Sequence, residues 1–183
     1  ETGPQHVAPF CIHYDNCGGC KWQHITYEGQ LQMKEQLVKQ MLGRLSGMEL
    51  PELQPILAAP TETFYRNKLE FTFSQHRWLS EKDLQHEGEL DRRAVGFHVP
   101  GRWDRVVDVT HCHLQPDPSN GIRNTLRTYA LDRDLPFYNI YKHEGYLRNL
   151  IVRNTMDGKV MVIVQVAENR PETMERLVKH LLE

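Results

Sequence analysis

The feature that most constrains this chain is the run Cys11-Ile-His-Tyr-Asp-Asn-Cys17-Gly18-Gly19-Cys20. It holds three of the four cysteines in a C-x5-C-x2-C pattern, and the fourth, Cys112, lies far downstream. A fold that uses all four must bring a short N-terminal loop against the middle of the chain. Three thiolates from one loop and one from a distant segment can close around a cubane iron–sulfur cluster. The Gly18-Gly19 pair would let the backbone turn sharply and bring N–H donors close to the sulfurs. Other chemistries compete for the same residues. A four-cysteine zinc site usually draws its ligands as two close pairs, and here the second pair is missing. A redox pair at Cys17 and Cys20 would leave Cys11 and Cys112 without a role. Disulfides need an oxidising compartment. The opening Glu1-Thr2-Gly3-Pro4 has neither the basic start nor the apolar run of a secretory signal, so a cytoplasmic, reducing setting is expected. His13, His111 and His113 flank the cysteines and read as supporting or surface groups rather than ligands.

The chain has 183 residues, with 22 Lys+Arg against 24 Asp+Glu for a net charge of −2. Bulk positive charge therefore cannot drive nucleic-acid binding, and any such contact must use a local basic face. The longest apolar stretch, Val160 to Ala167, is interrupted by Gln165 and falls far short of the roughly 20 residues of a membrane span.

Hydrophobic periodicity organises the remainder. Leu31, Leu37, Val38, Met41, Leu42 and Leu45 fall at helical spacing between Tyr27 and Leu45, giving an amphipathic helix. Prolines at 51, 55 and 60 punctuate a linker. Leu69, Phe71 and Phe73 alternate with polar residues as a strand with one buried face. Residues 80–93 are polar and read as an exposed loop. Val95, Phe97 and Val99 form a second strand, Pro100-Gly101 a turn, and Val106 to Val109 a further short strand. Residues 119–133 read as a helix with Ser119 as its N-cap. Two β-branched runs around Met156-Asp157-Gly158 form a hairpin. A last helix opens at Pro171. The expected fold class is α+β, a mostly antiparallel sheet with flanking helices on one face plus an irregular N-terminal cysteine loop. Two units follow, the cysteine loop at 1–26 and a central domain at 27–183 that carries Cys112. The chain stops straight after an apolar helical face, which reads as a truncation.

Several segments resemble one family. Cys11-x5-Cys17-Gly18-Gly19-Cys20-x2-Gln23-His24 is similar to the cluster loop of the RNA (uracil-5-)-methyltransferases that act on bacterial ribosomal and transfer RNA. Phe64-Tyr65-Arg66-Asn67-Lys68-Leu69-Glu70-Phe71 is similar to a strand of that family. So is Val95-Gly96-Phe97-His98, followed by Val106-Val107-Asp108-Val109 and Cys112-His113-Leu114-Gln115-Pro116. The resemblance implies a 4Fe-4S cluster on Cys11, Cys17, Cys20 and Cys112, with zinc as the alternative occupant. It also implies S-adenosylmethionine as the methyl donor of a parent enzyme. That enzyme would add a cysteine to C6 of uracil, methylate C5 and then remove the C5 proton. In the family those steps belong to a Rossmann-like domain, and nothing in these 183 residues resembles its glycine-rich loop. No catalytic residue is therefore expected in this chain, which alone should be inactive.

The implied role is cluster binding and RNA recognition within a 23S ribosomal RNA (uracil-5-)-methyltransferase, the catalytic domain being the partner in cis. Ribosomal RNA is the favoured partner over transfer RNA. The residues expected to touch RNA are Lys21, Trp22, His24, Arg66, Lys68, His98, Arg102, Trp103 and Arg105, through stacking and phosphate contacts. Each also has an ordinary reading: Trp22 and Trp103 as packing residues, Arg66 and Lys68 as the solvated side of a strand. Residues 120–160 are mildly basic, with Arg123 among them. A free-standing metal-stabilised binding or electron-transfer module is the competing function, and it would need no basic strand faces.

Overall fold

A computed structural model describes residues 3–45, 47 and 51–182. The elements run in the order α1 (Tyr27–Leu45), β1 (Lys68–Ser74), α2 (Glu81–Leu84), β2 (Ala94–Val99), β3 (Arg102–Asp108), α3 (Ser119–Asp132), β4 (Leu147–Asn154), β5 (Val160–Val166) and α4 (Pro171–Leu182). The five strands make one antiparallel sheet ordered β3-β2-β1-β4-β5. The α+β expectation holds.

The period-two pattern of β1 sets the two faces. Leu69, Phe71 and Phe73 are buried, while Lys68 and Glu70 between them are exposed. Their partners on β4 repeat the split: Leu69 faces Val152 and Phe71 faces Leu150 in the core, while Lys68 pairs with Arg153 and Thr72 with Asn149 on the other side. The core face packs under α3 and α4 through Leu126, Tyr129, Ala130 and Leu177. Phe73 meets Phe137 edge-on at 5.0 Å. A bidentate ion pair pins α3 to β3, with Arg127 Nε donating to Asp108 Oδ1 at 2.9 Å. The opposite face of the sheet is polar at its centre, where Lys68, Glu70, Thr72, Asn149 and Arg153 lie.

Three local expectations need correction. The stretch 80–93 is not all loop: Ser80 and Asp83 form a reciprocal capping box that starts the short helix α2. That is a readable signal, Ser-x-x-Asp, which the polar composition masked. Strand β3 begins at Arg102, directly after the Pro100-Gly101 turn, because backbone pairing with β2 continues through polar residues. Ser119 is not the cap of α3. Pro118 holds that position, Ser119 donates to Gln115 Oε1 at 2.5 Å, and Asp117 Oδ1 accepts from the Asn120 N–H at 3.2 Å. The hairpin after β4 is as expected, with Gly158 at φ +83° supplying the left-handed residue that a side chain would resist.

Helix α1 is helical where the spacing places it, but its apolar stripe is not covered. Leu37, Val38, Met41 and Leu45 are all exposed. Its first turns dock on the cysteine segment instead: Gln30 Nε2 donates to the Trp22 and Ile25 carbonyls, and Gly29 is buried against Gln5 and Ile25. Strand β5 is similarly bare, with Val160, Met161, Val162 and Ile163 exposed along the sheet edge.

The two-faced sheet makes a clear stability prediction. Phe71→Ala should cost about 3–5 kcal/mol by cavity formation. Lys68→Ala, on the opposite face of the same strand, should change stability by no more than about 0.5 kcal/mol. Chemical denaturation followed by circular dichroism checks both.

Candidate metal centre and flanking groove

The cysteine loop reaches the sheet by backbone contact. The Gly18 N–H donates to the His98 carbonyl at 2.9 Å, at the end of β2. A Cβ at Gly18 would sit 2.5 Å from that carbonyl oxygen, so only glycine permits the approach. Gly19 stacks its backbone against Phe97 and donates its N–H to Cys17 Sγ at 3.4 Å. The Gly-Gly pair thus forms a turn and permits close approach, with neither residue at positive φ. Two side chains fasten the loop further: Trp78 Nε1 donates to Asn16 Oδ1 at 3.0 Å, and the Cys11 N–H donates to Gln23 Oε1 at 3.2 Å.

The fourth cysteine is fixed from the other side by α3. Asn120 clamps the Cys112 backbone at both ends, accepting from its N–H at 2.8 Å and donating to its carbonyl at 3.1 Å. One turn on, Arg123 is fully buried. It donates to Asn120 Oδ1 at 3.0 Å and to the Thr110 carbonyl at 2.6 Å, and its guanidinium lies over the Phe71 ring at 5.1 Å. Its Nε, buried, has no hydrogen-bond partner among the described residues. The sequence reading missed both residues. The available signal was the Asn-x-x-Arg spacing, which puts the two on one face of a helix just after Cys112.

Cys11, Cys17, Cys20 and Cys112 all line one small cavity of about 20 Å³, and no disulfide joins them. Its wall also includes His13, His111 and His113. His13 Nε2 accepts from the Thr110 N–H at 3.1 Å, which turns that nitrogen away from ligation. His111 and His113 pack edge-on at 4.5 Å. Burial drives the electrostatics. Desolvation pushes the Cys17 thiol up to about 11, reinforced by the neighbouring cysteines, and raises Cys11 and Cys112 as well. Burial also lowers His13 and His113 and depresses the Arg123 guanidinium from its usual value. Among the described residues, no three His, Cys, Asp or Glu groups are gathered as the ligands of a single ion would be.

A larger groove of about 830 Å³ opens beside the cysteine cavity and shares Gly19, Cys20, His113 and Leu114 with it. Lys21, Trp22 and Arg66 line it, together with Lys34 and Tyr65, which the sequence reading did not single out. Lys34 Nζ stands 5.6 Å from the Trp22 ring. His24 does not line this groove. Its Nδ1 is hydrogen-bonded to the Tyr14 hydroxyl, so it braces the loop. The remaining expected contacts lie on the bare face of the sheet. His98 and Trp103 line a separate pocket there, and Arg102 and Arg105 flank Asp104 on β3. Lys68 is exposed on the same face, 3.5 Å from Glu70. Trp103 is 64% exposed, so its packing reading fails, whereas Trp22 is half-buried. The basic residues of 120–160 do not form one surface, because Arg123 is in the core and Arg148 stacks on Tyr138.

Comparison with known proteins finds relatives along the whole chain. No family model matches the chain. An RNA methyltransferase of Bacteroides thetaiotaomicron, named as uncharacterized, is 46% identical over the whole chain. Similarly named proteins of Porphyromonas gingivalis and Chlorobaculum tepidum are 44% identical over 90% and 38% identical over 100% of it. The chain covers 40%, 37% and 38% of these relatives' lengths. The crystal structure of Pyrococcus abyssi tRNA (uracil-54, C5)-methyltransferase in complex with S-adenosyl-L-homocysteine shares the fold. It aligns with a TM-score of 0.61 at 24% identity, over 95% of this chain and 35% of that one. The chain is therefore similar to about two fifths of these proteins named as RNA methyltransferases.

Two substitutions test the architecture of the centre. Gly18→Ala should detach the loop from β2, while Gly43→Ala, in open space on α1, should stabilise by about 0.5–1 kcal/mol. Asn120→Leu strands both backbone groups of Cys112 and should cost about 2–5 kcal/mol. Hydrogen exchange at residues 11–20 and 110–114 should rise in Gly18→Ala and Asn120→Leu and stay unchanged in Gly43→Ala.

Proposed function

We propose that this chain is the iron–sulfur-binding and RNA-recognition part of an S-adenosylmethionine-dependent RNA (uracil-5-)-methyltransferase acting on 23S ribosomal RNA. The observation that carries the reading is the shared wall: four cysteines around one cavity, with a basic and aromatic groove directly against it. Cys11, Cys17, Cys20 and Cys112 would hold a 4Fe-4S cluster, one thiolate to each iron. The ligand spacing, three cysteines from one loop and one from a distant segment rather than two close pairs, favours a cluster over a single zinc. The buried guanidinium of Arg123, with an unpartnered Nε among the described residues, suits the net negative charge of a four-thiolate site. A cluster there would join the loop at 11–20 to the segment at 112, a mechanical task rather than a redox one.

RNA would lie along the groove, its bases on Trp22 and Tyr65 and its phosphates against Lys21, Lys34 and Arg66. Lys68, His98, Arg102, Trp103 and Arg105 would extend the contact across the bare sheet face. Residues 1–26 act as the cluster unit and 27–183 as the central unit. Methyl transfer belongs to a catalytic domain in the same polypeptide, so the 183 residues alone bind without reacting. No helix among the described residues is long and apolar enough to cross a membrane, and a cytoplasmic enzyme is the fitting context.

Anaerobically purified protein should be brown and hold about four iron per chain. Cys112→Ser should lose the colour, and Arg123→Met should shorten the cluster's lifetime in air. The chain should bind single-stranded RNA with an affinity that falls steeply as salt rises. Lys21→Ala and Arg66→Ala should each weaken binding several-fold. Zinc in place of iron in such a preparation would refute the cluster.

A further inference from the structure

The bare face of the sheet holds a pocket of about 440 Å³, well apart in chemistry from the groove beside the cysteines. That volume lies in the range of small-ligand sites. Its wall combines the aromatic rings of Trp103 and Tyr138, the carboxylates of Glu70 and Asp104 and the guanidinium of Arg148, which lies over the Tyr138 ring. Trp103 is the exposed aromatic plane, and Tyr141 braces it from beside at a ring distance of 5.6 Å. Tyr141 is itself held, because its hydroxyl donates to Asp104 Oδ2 at 2.8 Å and its ring meets His76 edge-on at 4.9 Å. The platform is therefore preorganised rather than floppy, which is what stacking needs.

The two carboxylates of the pocket differ in what they have left to give. Asp104 is spent: it accepts from Tyr141 and stands 3.6 Å from both Arg102 Nε and Arg105 Nε. Glu70 is not. Its one ion pair among the described residues is with Lys68, 3.5 Å from Oε2, and none of their side chains donates a hydrogen bond to it. It projects from the middle of β1, on the face away from the core, into the same pocket as Trp103. A carboxylate with open acceptor sites matches a ligand that presents two adjacent N–H donors. Of the four RNA bases, guanine alone offers that pair, N1–H beside the N2 amino group. Cytosine and adenine offer a single amino group, and uracil offers one N–H between two carbonyls that Glu70 would repel. Watson–Crick edges are free in single-stranded or splayed RNA. Arg148, which lines the pocket, is the cation placed to meet a phosphate of a bound nucleotide.

We propose that this pocket is a guanine-reading subsite, in which an unpaired guanine stacks on Trp103 and pairs its N1–H and N2–H groups with the Glu70 carboxylate. The inference rests on the reading of the chain as an RNA-recognition unit and adds to it the identity of one non-target base. The subsite would set register: it fixes where the strand lies before any uridine reaches a catalytic centre.

The test uses the 183-residue chain and four RNA hexamers, all uridine or uridine with a single internal guanosine, cytidine or adenosine, titrated at low salt. The guanosine hexamer should bind on the order of 10-fold tighter than the all-uridine one, and tighter than the other two. Glu70→Gln replaces one acceptor by a donor and should bring all four within about 2-fold of each other. Trp103→Ala should weaken the guanosine hexamer most. Both positions are exposed, and unchanged denaturation midpoints would confirm intact folds. Equal binding of the four hexamers, or a preference for cytidine or adenosine, overturns the guanine subsite while leaving the RNA reading in place. Binding of none of them overturns both.

Discussion

The hydrogen bond from Gly18 N–H to the His98 carbonyl is the contact on which the rest depends. It is the point where the N-terminal cysteine loop meets the end of β2. Cys17 and Cys20 add apolar contact with the core. At Gly18 the loop docks by having no side chain, so that backbone lies on backbone. Once it is seated, Cys11, Cys17 and Cys20 face Cys112 across a cavity, and the groove beside it acquires one of its walls. The opposite wall depends on α3, whose Asn120 holds Cys112 by its main chain.

Arg123 shows how tightly the two halves are joined. A buried cation is expensive, and it is depressed in basicity here by that burial. It is tolerated because it touches the Cys112 segment through Asn120 and Thr110 and the sheet through Phe71. Packing of the core and shape of the cysteine cavity therefore share a residue. Burial holds the protons on the thiols, and Arg123, short of one partner among the described residues, is placed to offset the negative charge that appears once they are lost.

Much of this was legible from residues alone. Alternation at Leu69, Phe71 and Phe73 gave the strand, its buried face and the core. Asp157-Gly158 gave the hairpin. The cysteine spacing gave the convergence of 11–20 on 112, and the structure brings all four to one cavity. The extent of β3 was not legible, since hydrogen-bond pairing carries a strand through Arg102 to Arg105 without an apolar pattern. Nor were Asn120 and Arg123, whose burial comes from a tertiary position that helical spacing alone does not reveal. Polar residues in a core are the hardest to foresee, because composition assigns them to solvent. The same bias hid the short helix at 81–84. The apolar stripe of α1 misled in the opposite sense: its spacing gave the helix correctly, yet the stripe faces outward.

The bare outer strand β5 carries its own consequence. A sheet edge that presents seven residues, Val160–Val166, most of them aliphatic and none charged, has an unspent ladder of N–H and C=O groups. Proteins usually blunt such an edge with a lysine, a proline or a bulge; this strand has neither lysine nor proline, and its pairing with β4 shifts register only at its end, between Leu147 and Asn149. The edge is therefore a template for a sixth strand. At high concentration, with nothing laid along it, the molecule's weakness is colloidal before it is thermal: like edges find each other while the core beneath remains folded.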